Sequence, residues 1–496
     1  MFDRGSGILL HITSLPGKYG VGDIGGNAYK FIDFLNEVGC KYWQFLPVVI
    51  PGKGNSPYQG ISAFAGNPIL ISPKILYKEG YINNKDDLKE LDFYNDRVEY
   101  RNVKNYKQRL LAKAFNKFKG SITGSAEFQY FCDDNKYWLD DFAMFSAFKL
   151  KFRNQNWTKW PDPAKKRDLL AINTLKLILK DKIIKQKFIQ FIFFKQWKLL
   201  KDYAASKNIK LIGDLPLYIS HDSVDVWRYP DLFKLDKFGN PLVIAGVPPD
   251  YFSAKGQLWE NPVYDWEANK KQNYIWWNER INKNLELVDL LRLDHFRGFS
   301  KYWEVFAIEK SAIKGNWVDG PGIDLFKSMK YLNDFPNSKP FIAEDLGNID
   351  DEVISLREEL RIPGMKIIQF LFDDDGLNLE IQIPENCFLY TGTHDNNTVK
   401  GWLGKINETE RRNLQRILNK NISDINSWEI IEMCWDSNAK TVIAPIQDLI
   451  ALGSKSRMNI PGVKNGNWTW RMEGDMTKLR IITDKIHELN HTYKRI

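Results

Sequence analysis

The sequence predicts an α/β protein built as a single (β/α)8 barrel with inserted, mostly helical subdomains. Eight short apolar runs of strand length alternate with helical patterns along the 496-residue chain. Most of these runs end in polar side chains, as strands buried on both faces do where they leave the core. Strands that alternate with helices form a parallel sheet, and eight of them close a barrel.

The first three strands are predicted at residues 6–12, at residues 42–48 and in a run that ends at Asp214. An amphipathic helix between the first two strands ends at Gly39 and has its apolar residues at helical spacing: Ala28, Phe31, Ile32, Leu35 and Val38. A second helix, at about residues 188–205, leads into the third strand.

The stretch VDLLRLDHFRG at residues 288–298 predicts the fourth strand, around which the other motifs are arranged. The later strands are predicted by their polar ends: the fourth ends at Asp294, the fifth at Glu344, the sixth near Asp373 and the seventh at His394 and Asp395, while the eighth has Gln447 and Asp448 near its end. Helical patterns at residues 350–361 and 408–418 separate the later strands.

Two long segments interrupt the alternation of strands and helices. Residues 50–187 are predicted to form an inserted subdomain after the second strand, and residues 220–284 a second insertion after the third. The second insertion contains the loop 249–259, which is rich in aromatic and polar residues. Residues 1–496 are therefore predicted to form one catalytic barrel domain with two insertions.

Composition argues against several classes of partner. The chain has 70 Lys and Arg against 62 Asp and Glu, but these cations are scattered, so no nucleic acid is expected. The 17 Trp suit an amphipathic ligand. The four Cys form neither a disulfide framework nor a metal spacing, which indicates a reducing compartment. No signal peptide or membrane span is recognised, so a cytoplasmic location and no membrane partner are expected.

Carboxylates at strand ends are the candidate chemical groups. The carboxyl ends of parallel strands meet on one face of a barrel, so Asp294, Glu344 and Asp395 are expected to converge there. Clustered carboxylates either bind a divalent metal or catalyse reactions at a glycosidic bond. Four cationic or imidazole side chains stand beside these acids: Arg292, His295, Arg297 and His394. Because they supply the positive charge that a metal would otherwise provide, we favour glycoside chemistry and expect no metal.

Eight sequence motifs spread over the whole chain carry a family resemblance. They are GNSPYQGISAFAGNP at 54–68, LIGDLPLYI at 211–219, VPPDYFSAKGQLWENP at 247–262, LRLDHFRG at 291–298, IAEDLGNI at 342–349, GTHDNNT at 392–398, RMNIPG at 457–462 and NWTWR at 467–471. With these motifs the chain resembles the amylomaltases, or disproportionating enzymes, which are 4-α-glucanotransferases related to the α-amylase superfamily. The resemblance implies a barrel without a C-terminal β-sandwich domain, and no cofactor. Asn397 stands where this family more often has Asp.

The resemblance also implies roles for individual residues. Asp294 would be the nucleophile, Glu344 the acid/base and Asp395 the carboxylate that stabilises the transition state. The implied substrate-binding residues are Arg292, His295, His394, Tyr58, Ser56, Asp250, Tyr251, Phe252, Gln257, Trp259, Asp373 and Asn465. The loop 249–259 would cover the bound glucan, and Asn465 would lie opposite it.

The implied activity is transfer of α-1,4-glucan segments between maltooligosaccharides or glucans by a retaining double displacement. A retaining α-1,4-glucan hydrolase would use the same residues and is the main alternative. A metal-dependent lyase or isomerase on the same barrel, and a non-catalytic glucan-binding scaffold, are the other two. The sequence gives no prediction of oligomeric state.

Overall fold

A computed structural model describes residues 3–88, 93–249, 254–335, 339–347, 349–372 and 383–496. The strands in these residues are β1 Gly5–Leu9, β2 Tyr42–Gln44, β3 Lys210–Leu215, β4 Val243–Val247, β5 Gln257–Pro262, β6 Leu290–Leu293, β7 Lys301–Phe306, β8 Gly315–Asp319, β9 Phe341–Ala343, β10 Gly364–Ile367, β11 Cys387–Tyr390 and β12 Thr441–Pro445.

The α-helices of the described residues surround the central sheet or form the insertions. They are α1 Gly26–Glu37, α2 Pro73–Lys78, α3 Tyr100–Phe118, α4 Ala126–Asp134, α5 Lys136–Lys151, α6 Asp162–Lys165, α7 Leu169–Ile178, α8 Lys180–Ser206, α9 Val224–Arg228, α10 Trp266–Lys271, α11 Ile275–Leu287, α12 Arg297–Ser300, α13 Gly322–Ser328, α14 Asp351–Glu359, α15 Val399–Leu403, α16 Glu408–Leu418, α17 Ser427–Asp436, α18 Ile446–Leu449 and α19 Arg480–Thr492.

Eight parallel strands form the barrel, which confirms the predicted fold class. Their order around the sheet is β10-β11-β12-β1-β2-β3-β6-β9. The ring is nearly closed where β9 meets β10, because the amide of Ala343 donates to the carbonyl of Pro363 at 2.9 Å. The strands are short and almost entirely buried, as expected when helices cover the outside of a barrel and side chains fill its interior.

Several predicted strands are too long. β1 ends at Leu9, although the first strand was predicted to extend to residue 12. β2 ends at Gln44, although the second strand was predicted to extend to residue 48. β10 ends at Ile367, and the apolar run continues as the 3-10 helix Ile368–Phe372, so the prediction of a strand reaching Asp373 was wrong. Periodicity cannot separate a short buried strand from a buried helical turn, so an uninterrupted apolar run hides this change.

The helices that frame the barrel agree with the sequence patterns except for one start. α1 and α16 occupy the predicted positions, and α16 begins with a capping box in which Asn407 and Glu410 satisfy each other's backbone amides. α8 is one continuous helix that begins at Lys180, whereas the pattern predicted a start near residue 188. Lysines and Asp181 dominate its first turns, so the amphipathic pattern becomes visible only where the helix packs on the barrel.

A second, four-stranded antiparallel sheet with the order β5-β4-β7-β8 was not predicted. β4 and β5 come from the segment after β3, whereas β7 and β8 follow β6, so this sheet joins two separate excursions of the chain. Trp303 of β7 pairs with Trp317 of β8, and β7 pairs with β4 through Ala245 and Glu304. Through β5 this sheet places residues 257–262 beside the mouth of the barrel.

All four cysteines are buried and unpaired. Among the described helices, none combines the length and the apolar character that crossing a membrane requires.

Candidate active site

The centre of the site is the guanidinium of Arg292 on β6. Its Nη1 donates to both carboxylate oxygens of Asp214 at 2.9 Å and to Oδ1 of Asp294 at 2.9 Å. Asp214 lies directly across from Arg292 on the neighbouring strand β3. The side chains of Arg292 and Asp214 are only 6% and 1% exposed, so the pair is formed away from bulk water. A buried cation with two carboxylate partners is held firmly in one position.

Asp294 directly follows β6 and is the more accessible of the two carboxylates that Arg292 contacts. Its amide donates to the carbonyl of Leu215 at 3.0 Å, which continues the pairing of β6 with β3. A quarter of its side chain is exposed. One of its oxygens is bonded to Arg292 and no bond is recorded for the other among the described residues, so a free carboxylate oxygen is available to a substrate.

Glu344 follows β9 and approaches the same guanidinium from the other side. Its Oε2 accepts a hydrogen bond from the amide of His295 at 2.7 Å and lies 4.0 Å from Nη2 of Arg292. Burial raises the pKa of Glu344 to about 8; the nearby Asp294 adds to the rise, and Arg292 and the amide bonds oppose it. Glu344 is therefore protonated near neutral pH, as a group that donates a proton must be.

His295 links the two acids and is itself held in an unusual conformation. Its backbone has a φ of 51°, in the left-handed region, which turns its amide towards Glu344. The edge of its ring meets Trp259 with 4.9 Å between the ring centroids. Burial lowers the pKa of His295 to about 4, so the imidazole is neutral. Its buried Nε2 has no hydrogen-bond partner among the described residues, which leaves it available to a ligand.

Asp395 lies in the loop that follows β11, and a second loop holds it in place. Nδ2 of Asn459 donates to its Oδ1 at 2.6 Å, and Nη2 of Arg457 donates to its backbone carbonyl at 2.7 Å. The amide of Asn459 also donates to the carbonyl of His394 at 3.0 Å. The carboxylate is 47% exposed, and its Oδ2 lies 3.4 Å from Nε2 of His394, so its position depends on a few contacts with these two loops.

Three rings stand together beside the acids. The ring of Tyr58 stacks on His394 with 4.9 Å between centroids and 19° between planes, and Trp468 lies 5.8 Å from each of them. The hydroxyl of Tyr58 donates to Oδ2 of Asp214 at 2.8 Å, which connects the rings to the carboxylates. Flat apolar surfaces beside hydrogen-bonding groups are what sugar rings bind.

Asp448 anchors both ends of the loop that carries His394 and Asp395. Its Oδ2 accepts from Oγ1 of Thr391 and its Oδ1 from the amide of Val399, each at 2.7 Å. The side chain is almost fully buried, and this burial raises its pKa to about 6. Sequence analysis had placed Asp448 only near the end of the eighth strand, where the structure has the short helix α18.

Nowhere in the described part of the chain do three or more His, Cys, Asp or Glu side chains come together in positions that could hold one metal ion. In the cluster described here the positive charge between the carboxylates belongs to Arg292.

A family model described as 4-alpha-glucanotransferase matches residues 10–477. The chain belongs to this family. A 4-alpha-glucanotransferase from Aquifex aeolicus is 44% identical over 97% of this chain and 98% of its own length. One from Clostridium butyricum is 43% identical over 98% of this chain and 100% of its own length. A solved amylomaltase from Streptococcus agalactiae in complex with acarbose is 38% identical, with a TM-score of 0.94 and coverage of 99% of both chains.

The residues that the resemblance to the 4-alpha-glucanotransferases assigned to sugar binding fall into three groups. Five of them surround the acids as described above: Tyr58, His394, His295, Arg292 and Trp259. Two others support these residues. The Oγ of Ser56 accepts from the amide of Tyr58, and the Oε1 of Gln257 accepts from Nε1 of Trp259. Asn465 is exposed, and no contact between it and the acid cluster is recorded among the described residues. Asp250, Tyr251, Phe252 and Asp373 lie outside the described residues.

Sequence analysis missed three contributors to the site. Asp214 was predicted as a strand end on the same face of the barrel as the three acids but was given no role. Asn459 was quoted only within a motif, and Trp468 was not singled out. Each lies in a stretch that matches the 4-alpha-glucanotransferase family, so the motifs contained the signal. Their partners are far away in the chain, however, and only the fold brings them together.

Proposed function

We propose that Asp294, Glu344 and Asp395 catalyse the transfer of α-1,4-glucan segments by a retaining double displacement. The donor and the acceptor are maltooligosaccharides or longer α-1,4-glucans. The observation that carries the proposal is the sharing of Arg292 by an accessible carboxylate and a buried acid whose pKa is raised to about 8. Two carboxyl groups in different environments divide the roles of nucleophile and acid between them.

In the first step Asp294 attacks the anomeric carbon while Glu344 protonates the departing oxygen of the glycosidic bond. Arg292 holds the carboxylate of Asp294 in place through the contact at 2.9 Å. The carboxyl proton of Glu344 moves to the leaving oxygen, and a covalent glycosyl-enzyme forms on Asp294. The cleaved half of the donor then leaves with a free 4-hydroxyl.

In the second step the carboxylate of Glu344 removes the proton from the 4-hydroxyl of an acceptor glucan. That oxygen attacks the anomeric carbon, the bond to Asp294 breaks, and the α-linkage is restored. Asp395, held by Asn459 at 2.6 Å, binds hydroxyls of the distorted sugar ring in both transition states. Tyr58, His394 and the neutral His295 line the same sugar site.

The remaining assignments complete this proposal. The loop 249–259, including Asp250, Tyr251 and Phe252, covers the bound glucan, Asn465 lies opposite this loop, and Asp373 binds the substrate. No cofactor takes part, and the enzyme acts in the cytoplasm. The bounds 50–187 and 220–284 for the insertions are proposed on the same sequence grounds.

Incubation with maltotriose separates transfer from hydrolysis. Transfer converts maltotriose into glucose and longer oligosaccharides without increasing the number of reducing ends, whereas hydrolysis increases that number with every bond cleaved. Products are resolved by chain length while reducing ends are counted in the same samples. A ladder of longer chains at a constant number of reducing ends is expected. Steady growth of reducing ends without longer chains would instead show that the protein is a hydrolase.

A further inference from the structure

A second cavity lies behind the loop that positions Asp395. It is formed by residues 96–97, 450–457 and 466–481, and its volume is about 600 Å³. Cavities of this size accept small organic ligands. The cavity includes Arg457 and is separate from the group formed by Arg292, Asp294 and Glu344.

Unneutralised positive charge distinguishes this cavity. Its charged lining consists of the cations Arg97, Lys455, Arg457, Arg471 and Lys478 and the carboxylates Asp96 and Glu473. Within the described residues, the only carboxylate in ion-pair contact with any of these cations is Glu473, 3.9 Å from Lys478. Clustered cations in a cavity with partly apolar walls create a local positive potential, which favours an anionic ligand.

Arg471 adds independent evidence of a missing partner. It is 2% exposed, and its two terminal nitrogens donate to the backbone carbonyls of Tyr94 and Gly17. Its Nε is buried without a hydrogen-bond partner among the described residues. A buried guanidinium that has only neutral acceptors and one unused N–H is incompletely satisfied. Arg471 lines the cavity, so an anion bound there would supply an acceptor for its Nε and a negative charge beside its guanidinium.

We propose that this cavity binds a phosphorylated sugar. The phosphoryl oxygens accept from the guanidinium and ammonium groups, for which planar guanidinium forks are well suited. Asp96, Ser456 and Thr469 provide acceptors and donors for sugar hydroxyls, and Trp470 provides an apolar wall. The cavity exceeds what an inorganic phosphate ion would fill, and its mixed lining matches a ligand with one anionic end and one polar ring.

Arg457 connects this cavity to the catalytic group, and this part of the inference rests on the proposed role of Asp395. Its Nη2 donates to the carbonyl of Asp395 at 2.7 Å and its Nε to the carbonyl of Asn459 at 3.2 Å. A phosphoryl group competes with these neutral carbonyls for the same guanidinium. The bound ligand therefore loosens the loop that holds Asp395 and slows transfer.

Calorimetric titration of the full-length enzyme with glucose 6-phosphate, without glucan, tests the binding. Lys455 and Lys478 are exposed, so the double variant Lys455→Gln/Lys478→Gln should fold normally. The matched control is Lys176→Gln/Lys182→Gln, which removes two exposed lysines from α7 and α8. Binding is expected in the wild type and the control, at least tenfold weaker in the cavity variant, and weaker as NaCl is added. Glucose and inorganic phosphate, titrated separately, are each expected to bind at least tenfold more weakly than glucose 6-phosphate.

Three results would overturn the binding proposal: absence of binding to the wild type, equal affinity in the cavity variant, or equal affinity for glucose. Equal affinity for inorganic phosphate would overturn the assignment of a sugar. At a concentration that only just saturates the wild type, glucose 6-phosphate should lower the kcat for maltotriose several-fold in the wild type and much less in the cavity variant. An unchanged kcat despite confirmed binding would overturn the regulatory part alone. Because the titration needs no turnover, it gives the same answer even if the proposed glucan transfer fails.

Discussion

The rate of transfer from maltotriose should fall as pH rises through about 8, because Glu344 must carry a proton to act as the acid. Burial raises its pKa to about 8, and Asp294 adds to the rise. With this pKa, about nine-tenths of Glu344 is protonated at pH 7 and about one-tenth at pH 9. A Glu with an ordinary pKa would be protonated in only about one molecule in 500 at pH 7. We therefore expect kcat/KM to drop about tenfold between pH 7 and pH 9.

The assay compares two donors over pH 5 to 10. The leaving group of maltotriose is a sugar oxygen that needs the proton of Glu344, whereas the leaving group of an α-glucosyl fluoride is fluoride, which departs without it. The value of kcat/KM reports only the steps up to the first irreversible one. For the fluoride donor that step is the release of fluoride, so kcat/KM measures formation of the glycosyl-enzyme. The fall above pH 8 is expected with maltotriose and not with the fluoride. The Glu344→Gln variant should still form the glycosyl-enzyme from the fluoride, seen as a first burst of released fluoride, and should lose activity on maltotriose.

A fall of equal size and midpoint with both donors would refute this reasoning, because the titrating group would then serve something other than the leaving oxygen. A fall centred near the ordinary pKa of Glu would also refute it, because it would mean that burial at this position does not suppress ionisation. Circular dichroism at each pH is the control that excludes unfolding as the cause.

Four further predictions follow from the same geometry. Asp294→Asn should reduce turnover by several orders of magnitude while circular dichroism and glucan binding stay unchanged; retention of about a tenth of the activity would remove it as nucleophile. Asn459→Ala breaks the bond that positions the third carboxylate, so kcat should fall roughly 10- to 100-fold at nearly constant KM; an effect on KM alone would contradict this. Burial raises the pKa of Asp448 from its unfolded value of 3.8 to about 6, so this side chain favours folding below pH 4 and loses that effect as pH rises through 6. The free energy of unfolding should therefore fall by about 2 kcal/mol between pH 4 and pH 7, and denaturant curves of Asp448→Asn should lack this difference. Replacing Tyr251 and Phe252 by Ala should raise hydrolysis relative to transfer, whereas equal loss of both would make the loop a scaffold.

The sequence predicted those parts of the fold and site that depend on local pattern. Asp294 and Glu344 were recognised because each directly follows a short apolar strand. Contacts between distant segments were not predicted: the bond from Asn459 to Asp395 and the anchoring by Asp448 join stretches whose proximity depends on the whole barrel. The second sheet was missed for the same reason, since its four strands come from two separate excursions that no periodicity relates.

The register of three strands explains why the reactive groups meet. Arg292 of β6 lies opposite Asp214 of β3 on one side and opposite Ile342 of β9 on the other. Arg292 and Asp214 therefore form the buried ion pair at one level of the barrel. Side chains two residues apart point to the same side of a strand. Asp294 is two residues after Arg292 and Glu344 is two residues after Ile342, so both acids are on the side that Arg292 faces. The two acids thus lie side by side, one step above the cation that contacts both. A shift of one residue in β6 against β9 would turn Asp294 away from Glu344 and separate the nucleophile from its acid.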